Sequence, residues 1–373
     1  MAQQLPLSSA SSEADLHFHQ AALLALLYVR GLSCRDVNKL LTHVPLARMV
    51  TEPECLQCYG VKANIIGALS ALNMANYERK IQAFKHQGID VIALGTSAYP
   101  KLLAELPDPP LLLFCRGNTQ LLKLPQIAMV GSRSASLAGK RCAQEIAQQL
   151  SAAGLTITSG MAMGVDAMSH QGALMATGQT VAVLGTGVDI CYPRRNKALR
   201  DDILANGLLV SEFVPTTPAR AMHFPRRNRI IAGLSVATLV VEAERKSGSL
   251  ITAELAADYN REVMAIPGSI NNPYAKGCHK LIKEGAALVE SAKDVLLELG
   301  FSAQNGLYIK SEPTYREDEN SILRHIGYEP TCVDDIASSA EVPITELLTQ
   351  LVDLELEGLI ESTSEGYVKT GGG

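Results

Sequence analysis

The chain has no tryptophan, and aromatic side chains make up only 5% of its 373 residues. A surface that grips a polymer mainly by stacking on rings is therefore disfavoured, and any nucleic-acid site has to draw most of its affinity from phosphates. Long apolar runs are also missing. No stretch approaches the roughly 18 unbroken apolar residues of a membrane-spanning helix, and Met1-Ala2-Gln3-Gln4 lacks the basic region and apolar run of a signal peptide. Together with eight scattered cysteines, these absences predict a soluble, reduced, cytoplasmic protein without a membrane partner. Cys55 and Cys58 form a lone C-x-x-C with no partners at zinc spacing, so ordinary thiols and no metal are expected. Charge is sparse, at 19% of residues and a net −5. That balance excludes a protein coated in positive charge, and any site for a polyanion must be local.

Two nucleotide motifs are missing. Gly131-Ser132-Arg133-Ser134-Ala135-Ser136-Leu137 is not G-x-G-x-x-G, and the next strand ends Thr158-Ser159-Gly160 with no ribose-binding carboxylate. Lys140 follows Gly139, but the remaining spacing of a Walker A loop is absent. No cofactor is expected.

Four short β-type runs end in glycine, at Met129-Val130-Gly131-Ser132-Arg133, Thr158-Ser159-Gly160-Met161-Ala162-Met163-Gly164, Val183-Leu184-Gly185-Thr186-Gly187 and Ala265-Ile266-Pro267-Gly268. In a parallel sheet the carboxyl ends of all strands share one rim, so these glycines predict a crevice faced by backbone N–H groups and helix N-termini. Basic residues fall in connections to the same rim: Arg194, Arg195, Lys197 and Arg200, then Arg220, Arg226, Arg227 and Arg229. The many phosphates of a polymer suit that distribution better than one nucleotide. Arg133, directly after a strand, either forks onto a phosphate or pairs with a rim carboxylate such as Glu212 or Glu242. The runs around Arg194 and Arg226 place cations just before predicted helices and interleave with Tyr192 and Phe224, rings able to stack bases. Stacking and phosphate contacts without a base-reading element suit a single strand.

The architecture read from periodicity is α/β, a doubly wound Rossmann-like sheet with a helical unit on either side. Residues 1–13 are Ser- and Gln-rich and expected to be disordered. Residues 14–86 read as short helices, with Ser33 capping Cys34 to Leu41, and resemble SAM-like or helix-hairpin-helix modules as much as a plain packing domain. Over 87–303 nine candidate strands, starting near Ile89, Leu111, Ile127, Thr156, Thr180, Leu208, Ala237, Val263 and Ala287, alternate with helical patterns. An acidic linker at 304–320 leads to three helical patterns and a hairpin at 321–370, the outline of a winged helix. Its last helix is expected to turn Ile344, Leu347, Leu348, Leu351 and Leu354 inward and Glu346, Gln350, Asp353 and Glu357 outward. Phosphates would repel such an acidic face, which favours protein contact or a stabilising cap over base reading.

Catalytic groups are sparse. Asp166, Glu212, Glu242 and His170 could gather at the rim for N-glycosidic hydrolysis, but Asp166 also fits a helix cap, and no nucleophile–base pair stands out.

The run Ala128 to Arg133, the stretch Ser159 to His170, Phe224 to Ser235, Ser247 to Ala253, Pro267-Gly268 and Gly277 to Ala286 together closely resemble the DNA-processing protein A family, also called DprA or Smf. The resemblance implies an extended Rossmann domain with SAM-like and winged-helix flanks. It further implies a non-catalytic protein of natural transformation that binds incoming single-stranded DNA, protects it, and loads the RecA recombinase past single-strand-binding protein. DNA contacts carry over to Gly131, Ser132 and Arg133, and to Arg194 or Arg195 where lysine is more usual after Tyr-Pro. The wider candidate set adds Ser159, Gly160, Met161, Gly164, Lys197, Phe224, Arg226, Arg227, Asn228, Ser247 and Gly248. Homodimerisation is implied through the segment holding His279, Leu281, Ile282 and Leu288, with core burial the favoured role for Leu281 and Ile282. A Rossmann-type nucleotide enzyme such as a nucleoside-phosphate phosphoribohydrolase is the alternative, weakened because Pro267-Gly268-Ser269-Ile270 lacks that family's further glycines. A winged-helix transcription regulator is a third.

Overall fold

The computed structural model describes residues 13–301, 322–340, 342–356, 358–363 and 365–369. The expected linker at 304–320 lies outside the described residues, as does the expected disordered N-terminus except for Glu13. Contacts divide the chain into two compact units, Met1–Ala135 with Ala143–Leu307, and Ser136–Cys142 with Tyr308–Gly373.

The first unit opens with α1 (Glu13–Tyr28), α2 (Cys34–Leu41), α3 (Leu46–Thr51), α4 (Ala63–Ser70) and α5 (Met74–His86). Ser33 caps α2 through a capping box with Asp36, satisfying N–H groups that the first turn leaves without partners. In α1 the run Ala21 to Leu26 is buried on every side. The cause is packing against α5 and α3 on some faces and against the first strands on another. Phe84 of α5 meets Phe114 edge-on with ring centroids 5.6 Å apart. The change of period near residue 86 therefore marks a change of local structure within one shared core.

The sheet that follows consists of β1 (Asp90–Ala93), β2 (Leu112–Gly117), β3 (Gln126–Val130), β4 (Thr156–Ser159), β5 (Thr180–Val183), β6 (Leu208–Ser211), β7 (Ala237–Val240), β8 (Glu262–Ala265) and β9 (Ala287–Leu288). Interspersed are α6 (Lys101–Ala104), α7 (Leu137–Ala152), α8 (Val165–Met175), α9 (Lys197–Asn206), α10 (His223–Leu234), α11 (Gly248–Asp258), α12 (Lys276–Lys283) and α13 (Ala292–Glu298). The order is β1-β2-β6-β5-β4-β3-β7-β8-β9. The strands from β6 to β9 are parallel, and β2 and β1 extend the β6 edge antiparallel. All residues of β3 to β7 are buried, which is why β5, β6 and β7 read as nearly continuous apolar runs, while Thr156, Thr158 and Ser159 of β4 are buried polar side chains. From β3 the chain steps one way through β4, β5 and β6, then returns to β7 on the other side. The topological switch, where open α/β sheets bind ligands, thus lies at the carboxyl ends of β3 and β7.

In the second unit α14 (Val333–Ala340), α15 (Ile344–Leu356) and the hairpin of β10 (Ile360–Thr363) and β11 (Gly366–Lys369) surround Ile322, Ile326, Ile336, Leu347, Leu351 and Ile360. Ile322–His325 is a 3-10 turn rather than an α-helix. One expectation is corrected: Leu347 and Leu351 face the core, but Ile344 and Leu348 are 47% and 44% exposed. A core this small covers only the narrow arc of positions 347, 351 and 354. Glu357 lies outside the described residues.

His170 sits wholly inside α8, with Nδ1 2.7 Å from Thr180 Oγ1. Burial, aided by the Arg227 guanidinium, lowers its pKa from 6.5 to about 3. Unfolded chains take up a proton near pH 6.5, whereas the folded ring stays neutral until about 3. This group therefore makes stability fall as pH drops through that window, by about 1.4 kcal/mol per unit. Replacement His170→Asn should flatten the acid limb by about that slope in urea titrations followed from neutral pH downward; an unchanged slope would contradict the buried neutral ring.

Candidate nucleic-acid interface

Backbone hydrogen bonds tie the switch-point loops together. Ser132 N–H donates to Glu242 O at 2.6 Å, joining the loop after β3 to that after β7, and Val165 N–H donates to Ser132 O at 3.2 Å, joining it to the start of α8. Gly164 enters α8 with φ 74°, and a Cβ there would fall 2.9 Å from the carbonyl carbon of Arg133. Close approach of two chains and a left-handed backbone both call for glycine.

The loop from Gly160 to Gly164 is held from beneath. The Asp166 carboxylate accepts from Gly160 N–H at 3.2 Å and Ala162 N–H at 3.3 Å. Burial pushes Asp166 upward in pKa, against the Arg227 charge and these N–H bonds. Arg227 is 5% exposed and donates to Gly160 O at 2.7 Å and to Val183 O, pinning the ends of β4 and β5. Burial lowers its pKa to about 10, which leaves it cationic at neutral pH. Two sequence expectations change here. Arg227 is a buried structural cation instead of a phosphate ligand, and the N–H groups of Gly160 and Ala162 go to Asp166 instead of facing outward. Ser159, Gly160, Met161 and Gly164 are all buried, Met161 in the left-handed region at φ 56°. They form the floor of the rim.

Above that floor the side chains face solvent. Arg133 is exposed, its guanidinium carbon 5.8 Å from the centre of the Phe224 ring. Phe224 in turn lies 5.3 Å from the Tyr192 ring. It rests on Gly185, where a Cβ would come within 2.9 Å of it. Arg194, Arg195 and Lys197 are exposed at the head of α9. Asn196 anchors that segment, its Nδ2 donating to Met161 O at 2.9 Å and Ala162 O at 3.2 Å. On the other side Asn228 Nδ2 donates to Gly248 O at 3.4 Å, and Ser247 caps α11. The structure thus gathers Arg133, Tyr192, Phe224 and the cations at 194, 195 and 197 around one rim.

The second arginine cluster has a different place. The expected position just before a helix is corrected, because α10 starts at His223 and carries these residues in its own first turns. Arg226 and Arg229 both pair with Glu212, at 2.9 and 2.5 Å. Glu212 is therefore occupied, Glu242 accepts from Asn272 Nδ2 at 3.1 Å, and Arg133 makes no ion pair among the described residues. Arg245 and Lys246, exposed between β7 and α11, were not singled out from the sequence. Two adjacent cations in the connection that follows a rim strand are the available signal.

Of the residues assigned to a dimer contact, Leu281 is 6% exposed and belongs to the core, the role favoured for it over a dimer contact, and Ile282 packs half-buried against that core. His279 is half-buried, with Nε2 3.0 Å from Gly268 O. Leu288, on the edge strand β9, is 51% exposed.

Removing Arg227 leaves two buried carbonyls without a donor and the Asp166 carboxylate without its counter-charge. Arg227→Ala should lose about 3 kcal/mol in urea unfolding, whereas Arg133→Ala should lose less than about 0.5. The reverse ranking would overturn this division of roles.

Known proteins can be set beside this geometry. The sequence model of the DNA recombination-mediator protein A family matches residues 90–300, and that of the DprA winged helix domain matches 310–366. Protein Smf of Escherichia coli is 41% identical over an alignment covering 75% of this chain and 77% of its own. The X-ray structure of DNA processing protein A from Streptococcus pneumoniae superposes with a TM-score of 0.68 at 38% identity, covering 75% of this chain and 97% of that one. A structure of DNA processing protein A from Helicobacter pylori, described for its single-stranded DNA binding mode, gives a TM-score of 0.51 at 29% identity, covering 56% and 94%. The nine-stranded sheet with its switch-point arginine, the helices before it and the winged-helix unit after it accordingly place this chain in the DNA recombination-mediator protein A family, the DprA/Smf proteins.

Proposed function

We propose that the rim binds single-stranded DNA without sequence preference, as a non-catalytic step in natural transformation. The observation that carries this reading is the solvent-facing series Arg133, Phe224 and Tyr192, continued by Arg194, Arg195 and Lys197 on an anchored turn. Guanidinium forks suit phosphodiesters, and the ring pair offers a face to any base. The described single-strand binding of the Helicobacter pylori relative supports the same assignment. Hydrolysis at the rim is disfavoured, because His170 is buried against Thr180 and Asp166 is engaged by the loop it holds.

The bound strand would be protected from nucleases and handed to the RecA recombinase in place of single-strand-binding protein, in the cytoplasm. The family's description as recombination mediators supports that sequence of events. The working form is a homodimer joined near Leu288, whose exposure on an edge strand supports the assignment. Two linked rims raise affinity for a long strand by making the second contact intramolecular.

Anisotropy titrations with matched single- and double-stranded oligonucleotides test the rim. At about 0.7 per neutralised phosphate, about four to six contacts give a slope of log K against log salt near −3 to −4 for the single strand. Arg133→Ala should cost at least about tenfold in affinity with an unchanged melting temperature. Salt-independent binding, or preference for duplex, would sink the proposal. Leu288→Arg should give a folded monomer by light scattering that keeps short-strand affinity and loses the extra affinity for long strands; a persistent dimer would remove Leu288 from the interface.

A further inference from the structure

We infer a second contact for the same strand on the outer face of α1 and α5, built from Tyr28, Tyr77, Lys80 and Arg79; it rests on the reading of the rim as a single-stranded DNA site. Tyr28 is 45% exposed at the end of α1, and its ring lies 5.8 Å from that of Tyr77 at a tilt of 52°. Lys80 Nζ stands 4.0 Å from the centre of the Tyr28 ring and 5.2 Å from that of Tyr77. The ammonium is thereby held in place by two ring faces, and it makes no ion pair among the described residues. One residue away, Arg79 Nη2 donates to Asn76 Oδ1 at 2.6 Å, fixing a second cation. Tyr77, Arg79 and Lys80 border a shallow cleft of about 520 Å³ that Asn73 and Asn76 also line and to which no carboxylate contributes.

Cation, ring and amide in one open cleft is the chemistry of a phosphodiester with its base, and it repeats the combination found at the rim. The two places are also connected. Arg226, in the helix that carries Phe224, has Nη2 3.5 Å from Cys34 Sγ at the head of α2. Cys34 follows Tyr28 by six residues, a span of at most about 20 Å even when fully extended. Arg30 lies within that stretch and Arg35 follows it directly, and both are exposed. A strand leaving the rim past α10 therefore meets the tyrosine pair after a short further run, with cations between.

Anisotropy of the full chain with a short oligothymidylate that fills the rim and a several-fold longer one tests the contact. Lys80→Glu and Tyr28→Ala should each weaken the long strand about tenfold and leave the short one unchanged. Lys80→Glu should also reduce the long-strand salt slope by about 0.7, while Arg133→Ala weakens both strands. All these positions are exposed, and Lys80→Gln serves as a milder variant if Tyr28→Ala lowers the melting temperature. Variants that match the wild type on the long strand overturn this contact and leave the rim reading standing. Equal loss on the short strand also overturns it, since the effect would then run through the rim. A wild-type chain that binds neither strand overturns the rim reading, and the second contact with it.

Discussion

A guanidinium buried under a glycine sets the shape of the rim. Arg227 reaches from α10 to the carbonyls of Gly160 and Val183, so one side chain fixes the ends of two neighbouring strands and the helix that crosses them. Gly160 permits this because a Cβ would lie 2.6 Å from the guanidinium carbon. Burying a charge is costly unless it is paired and hydrogen-bonded, and here the carbonyls and the nearby Asp166 supply both conditions. Asp166 in turn takes the N–H groups of Gly160 and Ala162. Loop, helix and strands are held as one body before any ligand arrives. Preorganisation of that kind lowers the ordering cost of binding any ligand.

Arginines of similar sequence context divide into two populations. Arg227 and Arg229 are buried and bonded to the protein itself, and Arg226 shares Glu212 with Arg229. Arg133, Arg194 and Arg195 face solvent. The first group locks α10, which carries Phe224, and the second is left at the surface of the rim. The division also concentrates exposed positive charge at one rim of a chain whose net charge is −5. The C-terminal unit has the opposite character. Its longest helix carries Glu346, Asp353 and Glu355 with no lysine or arginine, and it exposes Ile344, Leu348 and Val352. Such a face suits protein contact better than a groove lined by phosphates.

Much of the fold was legible because the central parallel strands, buried on both faces, are short apolar segments between helical patterns, and the antiparallel β1 and β2 carry apolar runs of their own. The glycines that end them placed the rim, and Ser33 announced the cap of α2. Local chemistry sufficed for these features, since each depends on residues adjacent in sequence. The direction of side chains within helices was less accessible. Ile344 and Leu348 satisfy helical spacing for an inward face, but the width of the covered arc depends on the size of the core opposite.

The sequence by itself determined the strand–helix alternation, the glycine rim, the family motifs and the place of Arg133 directly after β3. Tertiary structure alone decided which cations are free. Arg227 lies on the stripe of His223, Ile230 and Leu234 that faces inward along α10, whereas Arg226, one residue earlier, points toward Glu212 and Cys34. A helix turns about 100° per residue, so the roles of neighbouring arginines depend on where α10 begins and on what the sheet places beneath it, and neither is encoded within the run Pro225-Arg226-Arg227-Asn228-Arg229.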